Sequence, residues 1–329
     1  VTTGQKHPDR DLRVVFMGTP EFAVASLEAL LDSGFEVAAV VTSPDKPAGR
    51  GRLVSKPAVK VFSEKHGLSV LQPENLKDQS FIERLRELKA DVFVVVAFRM
   101  LPEAVWRIPA KGTINLHGAL LPQYRGAAPV NHAIINGETV TGVTTFLIDD
   151  KIDTGNILLR EEVPILQDEN AGDLHDKLMA LGGPLIIRTL EGIASGTLKP
   201  RSQDEFIRPG EILRNAPKIF PENCIIDWNN PPAVIHNLIR GLSPYPCARS
   251  VFDNRSVTVS YKICKSQPEE IEHAFKPGQV ISDGRSYLKV ACTGGYISIL
   301  ELQPESKRKM AAAEFLRGFR ISGFTAGIS

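Results

Sequence analysis

The sequence predicts an α/β fold: an open, mostly parallel sheet flanked by helices, followed along the chain by a small β-barrel. Three observations lead there. Short β-branched runs alternate with helical patterns over the first hundred residues, the signature of βαβ units. Residues 199–221 are rich in proline and charge, with weak periodicity, and break the chain in two. Beyond them, short strand-like segments are separated by turn-forming dipeptides at the spacing of a small barrel.

Residues 12–17 predict the first strand, Gly18-Thr19-Pro20 a tight turn, and residues 21–31 a helix. A second strand is expected at 37–41 and a helix at 81–88. Residues 91–97 are apolar at nearly every position, as in a parallel strand buried on both faces. Ligands of such sheets bind beyond the carboxyl ends of the strands, which is where Gly18, Ala97 and His117 fall. A long helix over 171–194 closes this part. After the break come a helix at about 232–240 and strands near 249–252, 257–263, 278–281, 286–291 and 295–302. Asp253-Asn254, Asp283-Gly284 and Gly294-Gly295 supply the turns. The expected division is a polar tail at 1–11, a first domain at 12–200, a linker at 201–220 and a second domain at 221–329.

A chain of 329 residues is long enough for one large or two ordinary domains, and 43% apolar with 23% charged residues is ordinary for a globular protein. A net charge of +1 argues against wholesale binding of a polyanion and leaves room for a local basic patch. No apolar run reaches membrane-spanning length, and residues 1–11 lack the apolar core of a signal peptide. Cys224, Cys247, Cys264 and Cys292 have no paired Cys-x-x-Cys spacing and read as small buried residues in a reducing compartment, so the cytoplasm is expected. The histidines show no metal-ligand spacing, and no metal is expected.

The chemistry concentrates in residues 112–129. Ile114 and Leu116 alternate with Asn115 and His117, so a strand here turns Asn115 and His117 to one face. An amide donor beside an imidazole, where a strand gives way to a loop, can hold an oxyanion and move a proton. Residues 149–155 follow another apolar run and hold Asp149, Asp150 and Asp153. Asp153 precedes Thr154-Gly155, where a turn can aim it back at the strand ends. Gly18-Thr19-Pro20 lacks the Gly-x-Gly-x-x-Gly spacing of a dinucleotide fingerprint.

Taken in order, these motifs resemble the 10-formyltetrahydrofolate-dependent formyltransferases. The resemblance rests on Asn115-x-His117, the Leu120-Leu-Pro-Gln-Tyr-Arg-Gly-Ala-Ala-Pro129 run, Thr141-Gly-Val-Thr144 and Asp153-Thr-Gly155. It extends from about residue 14 to about residue 316. The stretches at 17–23 and 44–51 and the Ile226-Asp-Trp228 opening of a C-terminal extension favour a member whose acceptor is initiator methionyl-tRNA. The resemblance implies a Rossmann-like first domain, an OB-like barrel after it, 10-formyltetrahydrofolate as the formyl donor, and Asn115, His117 and Asp153 as the catalytic set. It implies no metal and no membrane, and no obligate protein partner is evident.

It also implies that Ala97, Phe98, Met100, Leu101, Ala119, Leu120, Leu121 and Pro122 border the folate. Ala119 stands where the family commonly has Ser, and the 97–102 loop is one residue shorter than usual. Gly18, Thr19 and Pro20 lie beside the acceptor by the same reasoning. Residues 44–60 carry Lys46, Arg50, Arg52, Lys56 and Lys60 against Asp45, and prolines and glycines there argue against a regular element. Lys46, Arg50 and Arg52 are the expected tRNA contacts of this stretch, led by Arg50. Lys307, Arg308 and Lys309 are the expected contacts in the C-terminal part, where 13 Lys and Arg stand against 10 Asp and Glu. Arg125 either supports its loop or approaches a phosphate. Two alternatives stay open: a formyltransferase acting on another amine, such as an amino sugar nucleotide, and a non-catalytic RNA-binding protein on the same fold.

Overall fold

Residues 12–48, 53–253, 258–319 and 324–327 are described by the computed structural model. They form two units. One holds the described residues up to Gly126 together with Thr141–Val163 and His175–Asn215; the other holds Ala127–Val140, Pro164–Leu174 and the described residues from Ala216 onward.

The first half of the chain runs β1 (Arg13–Gly18), α1 (Glu21–Asp32), β2 (Glu36–Val41), β3 (Lys46–Ala48), β4 (Leu53–Ser55), α2 (Ala58–Lys65), β5 (Val70–Leu71), α3 (Gln79–Glu87), β6 (Val92–Val96), α4 (Glu103–Trp106) and β7 (Thr113–His117). There follow β8 (Arg125–Gly126), α5 (Pro129–Ile135), β9 (Val140–Leu147), β10 (Ile157–Pro164) and α6 (Ala171–Ala194). The main sheet has the order β10-β9-β7-β6-β1-β2-β5. Strands β5, β2, β1, β6 and β7 pair in parallel, and β9 runs antiparallel to β7. The chain leaves β1 toward β2 on one side and later returns to β6 on the other. This reversal sets a switch point at the carboxyl ends of β1 and β6.

Alternation explains why the sheet is buried on both faces. Val15, Met17, Ala39, Val41, Phe93 and Val95 share a cluster with Phe81, Ile82 and Leu85 of α3 and Val105 of α4. Val14, Phe16, Val40, Val94 and Val96, offset by one residue, are equally inaccessible. A buried aliphatic or Phe side chain contributes about 1.5–3 kcal/mol, so these strands anchor the unit. Gly18 ends β1 where space runs out: a Cβ there would lie 2.6 Å from the Ala23 Cβ and 3.0 Å from the Val96 carbonyl oxygen. Glycine therefore lets α1 start directly at the strand end.

Two stretches differ from the sequence expectation. Residues 44–60, expected to be irregular, contain the antiparallel pair β3 and β4 and the start of α2. A two-stranded ribbon has only edges, so Pro47 is tolerated in it. Residues 201–215, expected as part of a linker, belong to the first unit. Arg201 and Ile157 exchange backbone hydrogen bonds of 2.9 and 2.8 Å, and a 3-10 turn spans Gln203–Phe206 behind a Ser202–Glu205 capping box. Phe206 packs on Leu121, Phe146 and Ile157, with the Arg160 and Arg201 guanidiniums over its ring at 4.9 and 4.4 Å. The segment is a strap. Its contacts come one residue at a time, and such contacts leave no hydrophobic period.

The second unit continues with β11 (Asn215–Ala216), α7 (Pro232–Gly241), β12 (Ala248–Asp253), β13 (Thr258–Glu269), β14 (Val280–Ser282), β15 (Leu288–Cys292), β16 (Gly295–Pro304), β17 (Met310–Ala311), α8 (Ala312–Gly318) and β18 (Thr325–Gly327). Its sheet is antiparallel, with order β14-β15-β16-β13-β12-β18 and β17 paired to β16. The two ends meet. Gln279 faces Thr325, the Ala326 N–H donates to the Gly278 carbonyl at 2.6 Å, and the Val280 N–H reaches the Phe324 carbonyl at 3.3 Å. A nearly closed barrel results, as the turn spacing predicts. Phe252, Tyr261, Ile263, Val290, Ile297 and Leu302 fill its core. Helix α5 packs on α7 in this unit, and the Asn131 amide donates to the Gly241 carbonyl at 2.7 Å.

Candidate active site

Strand β7 carries Asn115 at its middle and His117 at its carboxyl end, two residues apart and so on one face. Asn115 pairs with Val95 of β6 and Phe146 of β9, and His117 pairs with Thr144. Asn115 is half-buried, and its amide has no hydrogen-bond partner among the described residues. His117 is 6% exposed, and its Nε2 donates to the Tyr124 carbonyl at 2.8 Å. That contact fixes the ring and places a proton on Nε2. Nδ1 then faces Asp153, whose Oδ2 lies 3.7 Å away. This is ion-pair range and too long for a hydrogen bond.

Asp153 is held from two sides. Its Oδ2 accepts the Gly126 N–H at 2.9 Å, and its backbone carbonyl accepts the Gln203 amide at 2.8 Å. Asp153 has φ +54°, Tyr124 φ +61° and Ala97 φ +48°, all left-handed and all at loops beyond strand ends. Each such residue costs on the order of 1–3 kcal/mol and persists only where neighbours over-determine it. Asp149 shapes the same turn by accepting from the Thr154 hydroxyl at 2.8 Å and the Lys151 N–H at 3.0 Å. That is turn chemistry.

The Thr141-Gly-Val-Thr144 stretch has a local structural use. The buried Thr144 hydroxyl donates to the Ala119 carbonyl at 2.6 Å and accepts the Leu121 N–H at 3.1 Å. Strand β9 thereby holds the loop that follows His117. The set is an amide with no partner among the described residues, a fixed imidazole and a carboxylate facing its Nδ1. The set can stabilise a developing oxyanion and pass a proton.

Comparison with known proteins agrees with this chemistry. The family model for formyl transferases matches residues 12–190, and that for the formyl transferase C-terminal domain matches residues 218–320. The chain belongs to the formyl transferase family. It is 50% identical over 313 residues to a methionyl-tRNA formyltransferase of Bacteroides thetaiotaomicron, covering 95% of this chain and 97% of that protein. It is 47% identical over 320 residues to that of Parabacteroides distasonis, with coverage of 96% and 99%. Among solved structures, an N-formyltransferase from Helicobacter canadensis in complex with folinic acid and dTDP-3-aminofucose aligns with TM-score 0.64 at 21% identity, covering 91% of this chain and all of that one. HypX from Aquifex aeolicus in complex with tetrahydrofolic acid aligns with TM-score 0.58 at 18% identity, over 93% of this chain and 47% of that one. At those identities the likeness is one of fold.

Within this family member, the residues expected to border the folate fall into two groups. Leu101 and Leu121 are committed to core clusters, and Ala119 and Pro122 are buried as well. Ala97 and Met100 are exposed, and Phe98 and Leu120 are partly so. Arg99 braces the first loop by donating to the Pro73 and Glu74 carbonyls at 2.7 and 3.0 Å, and burial lowers its pKa from the usual guanidinium value. Leu121–Pro122 is a cis peptide bond. Among the described residues, no three His, Cys, Asp or Glu side chains are grouped to hold a metal ion, and no helix is long and apolar enough to cross a membrane.

The expected tRNA contacts are distributed differently. Thr19 bonds Ser43 through their hydroxyls at 3.1 Å, and Pro20 is exposed at the start of α1. Lys46 is exposed, while Arg50 and Arg52 lie outside the described residues. Lys60 pairs with Asp45 at 2.7 Å and Lys56 with Glu64 at 2.9 Å, so two cations of that stretch already have partners. A hydrogen bond from Gln72, then one from Lys60, holds the Asp45 carboxyl below its usual range. In the second unit Lys307 is exposed, Arg308 pairs with Glu314, and Lys309 pairs with Glu301 at 3.0 Å. The four cysteines are free and buried.

Sequence reasoning missed the Tyr124 carbonyl, the Gly126 N–H and Gln203. Two of these are backbone groups with no side-chain signature. The third carries a weak one, the Ser202-Gln-Asp-Glu205 capping pattern.

Proposed function

We propose that this protein transfers the formyl group of 10-formyltetrahydrofolate to the α-amine of methionyl-initiator tRNA. The observation that carries this reading is identity of 47–50% to proteins named methionyl-tRNA formyltransferase, over nearly the full length of both chains. The site geometry supports it. Catalysis is assigned to residues 12–200 and acceptor binding to the OB-like part at 221–329, in the cytoplasm.

The neutral amine attacks the formyl carbon, and the formyl oxygen becomes an oxyanion. Collapse breaks the bond from that carbon to N10, which takes up a proton while the amine gives one up. The Asn115 amide, which has no partner among the described residues, donates to the oxyanion. His117 is pinned through Nε2 and exchanges the proton through Nδ1. Asp153 faces Nδ1 across 3.7 Å, a gap that the amine or a water bridges, and balances the imidazolium as it forms. The folate pterin rests on the exposed parts of the 97–100 loop and the backbone of the 119–122 loop. Leu101 and Leu121 contribute through their backbone, because their side chains belong to the core. Lys46, Arg50 and Arg52, with Lys307, Arg308 and Lys309, position tRNA phosphates. The surface ion pairs of Arg308 and Lys309 exchange for such contacts at little cost.

The test offers the protein two acceptors with the same formyl donor: initiator methionyl-tRNA and a dTDP-linked amino sugar. Formylation of the tRNA alone is expected. Formylation of the sugar alone would transfer the assignment to the alternative acceptor.

A further inference from the structure

We propose that Gln203 is a positioning residue that sets the place of Asp153 opposite His117. The inference rests on the functional reading above and adds a residue to its machinery. Gln203 is 3% exposed and uses every hydrogen-bonding valence of its amide. Its Nε2 donates to the Asp153 carbonyl at 2.8 Å and to the Gly155 carbonyl at 2.9 Å. Its Oε1 accepts from Nε and Nη2 of Arg125 at 3.0 and 2.7 Å.

These contacts form a closed circuit. Gln203 holds the backbone on both sides of Thr154, and through Arg125 it holds the loop that carries Tyr124 and Gly126. Gly126 returns a hydrogen bond to the Asp153 carboxylate, and Tyr124 accepts from His117. One buried amide therefore joins the two loops that flank the imidazole. It also supplies what a left-handed Asp153 needs, an external hold on its carbonyl. Arg125 takes its role from the same contact: its guanidinium serves the loop.

The rest of the strap reinforces this placement. Gln123 donates to Glu211 at 2.8 Å and to the Ile212 carbonyl at 3.1 Å and accepts the Arg214 N–H at 2.8 Å, while the Tyr124 N–H reaches the Arg214 carbonyl at 2.7 Å. The chain after α6 thus returns to fix the site from behind. Gln203 touches none of the reacting atoms. Its effect passes through Asp153, which makes the proposal separable from a general role in stability.

The experiment compares the native chain with Gln203→Met, Asp153→Ala and the double variant, measuring kcat, KM for each substrate, and hydrogen exchange at the Gly126 amide. Gln203→Met is expected to lower kcat by ~10²-fold, the scale of a 1 Å misplacement, while both KM values hold. Gly126 exchange should accelerate. The double variant should be no slower than Asp153→Ala alone, because two residues acting as one unit are not additive. Native kcat in folded Gln203→Met overturns the proposal, and so does a double variant that loses both factors in full. If Gln203→Met does not fold, Gln203→Glu replaces it. This variant keeps the shape and the Arg125 contact but loses the donors to residues 153 and 155, and the same kcat loss or its absence decides. If the native chain moves no formyl group, the functional reading falls; accelerated Gly126 exchange then still supports the positioning role, and unchanged exchange overturns it.

Discussion

His117 is fixed by a backbone carbonyl rather than by a side chain, and this shapes what each neighbour can do. With Nε2 donating to the Tyr124 carbonyl, Nδ1 is the nitrogen left facing Asp153, at 3.7 Å. Asn115→Ala, His117→Ala and Asp153→Ala are each expected to lose ~10²-fold or more in single-turnover formyl transfer, the scale of removing one oxyanion donor. Thermal unfolding should shift little for Asn115→Ala, whose amide holds no group among the described residues. A variant of any of the three that keeps native turnover removes that residue from the mechanism. Tyr261 offers a test away from the site. It is 1% exposed, its hydroxyl has no partner among the described residues, and burial pushes its pKa up from 10.0 to about 12. The unfolded chain loses that phenol proton first, so the associated stability is whole below pH 10 and is lost as pH rises toward 12. Tyr261→Phe should flatten this alkaline limb of stability, followed by denaturant unfolding from pH 9 to pH 12. An unchanged slope would show that the phenol does not ionise on unfolding. Asn115, His117 and Asp153 were legible in the sequence, because strand alternation and motif order pick out side chains. The Tyr124 carbonyl and Gly126 N–H were not, since every residue owns such groups and only the fold selects among them.

Elements with extensive, regular burial were the most readable. Strands β1 and β6 and helices α1 and α6 lie close to their expected positions, because continuous apolar runs and 3.6-residue periods come from large, regular burial. The strap at 201–215 was not readable, since it is held by individual hydrogen bonds between distant residues. Nor was the short pair β3–β4, since three-residue strands around a proline carry no clear alternation. Gly155 shows how narrowly one element confines another: a Cβ there would collide with the Leu147 carbonyl oxygen. Gly155→Ala should displace the Asp153 turn from the end of β9, lowering both kcat and the melting temperature. Native values for both would mean that the turn relaxes without moving Asp153. In the 44–60 stretch, Lys60 pairs with Asp45 and Lys56 with Glu64, and the proposed tRNA contacts are Lys46, Arg50 and Arg52. Arg50→Ala should weaken tRNA engagement at unchanged folate KM. Unchanged kcat/KM for the tRNA would argue against that role.

At the scale of the molecule, the expected boundary between first and second domains is simpler than the units observed. Segments 127–140 and 164–174 belong with the barrel unit, while 201–215 belongs with the main sheet. Such exchanges are invisible to composition and periodicity, which report local pattern. Net charge, by contrast, speaks directly to binding. With +1 overall, tRNA affinity has to come from a few local cations. Lys307→Ala is expected to lower the slope of log Kd against log salt by ~0.7–0.9, with a uniform loss of affinity across tRNA sequences. An unchanged slope would place the phosphate contacts elsewhere. The most direct measurement is single-turnover formyl transfer from 10-formyltetrahydrofolate to initiator methionyl-tRNA by the native protein and by His117→Ala. Rapid formylation by the native protein, with a collapse of ~10²-fold or more in the variant, is the expected result. No formylation by folded native protein, or equal rates in the two proteins, would contradict it.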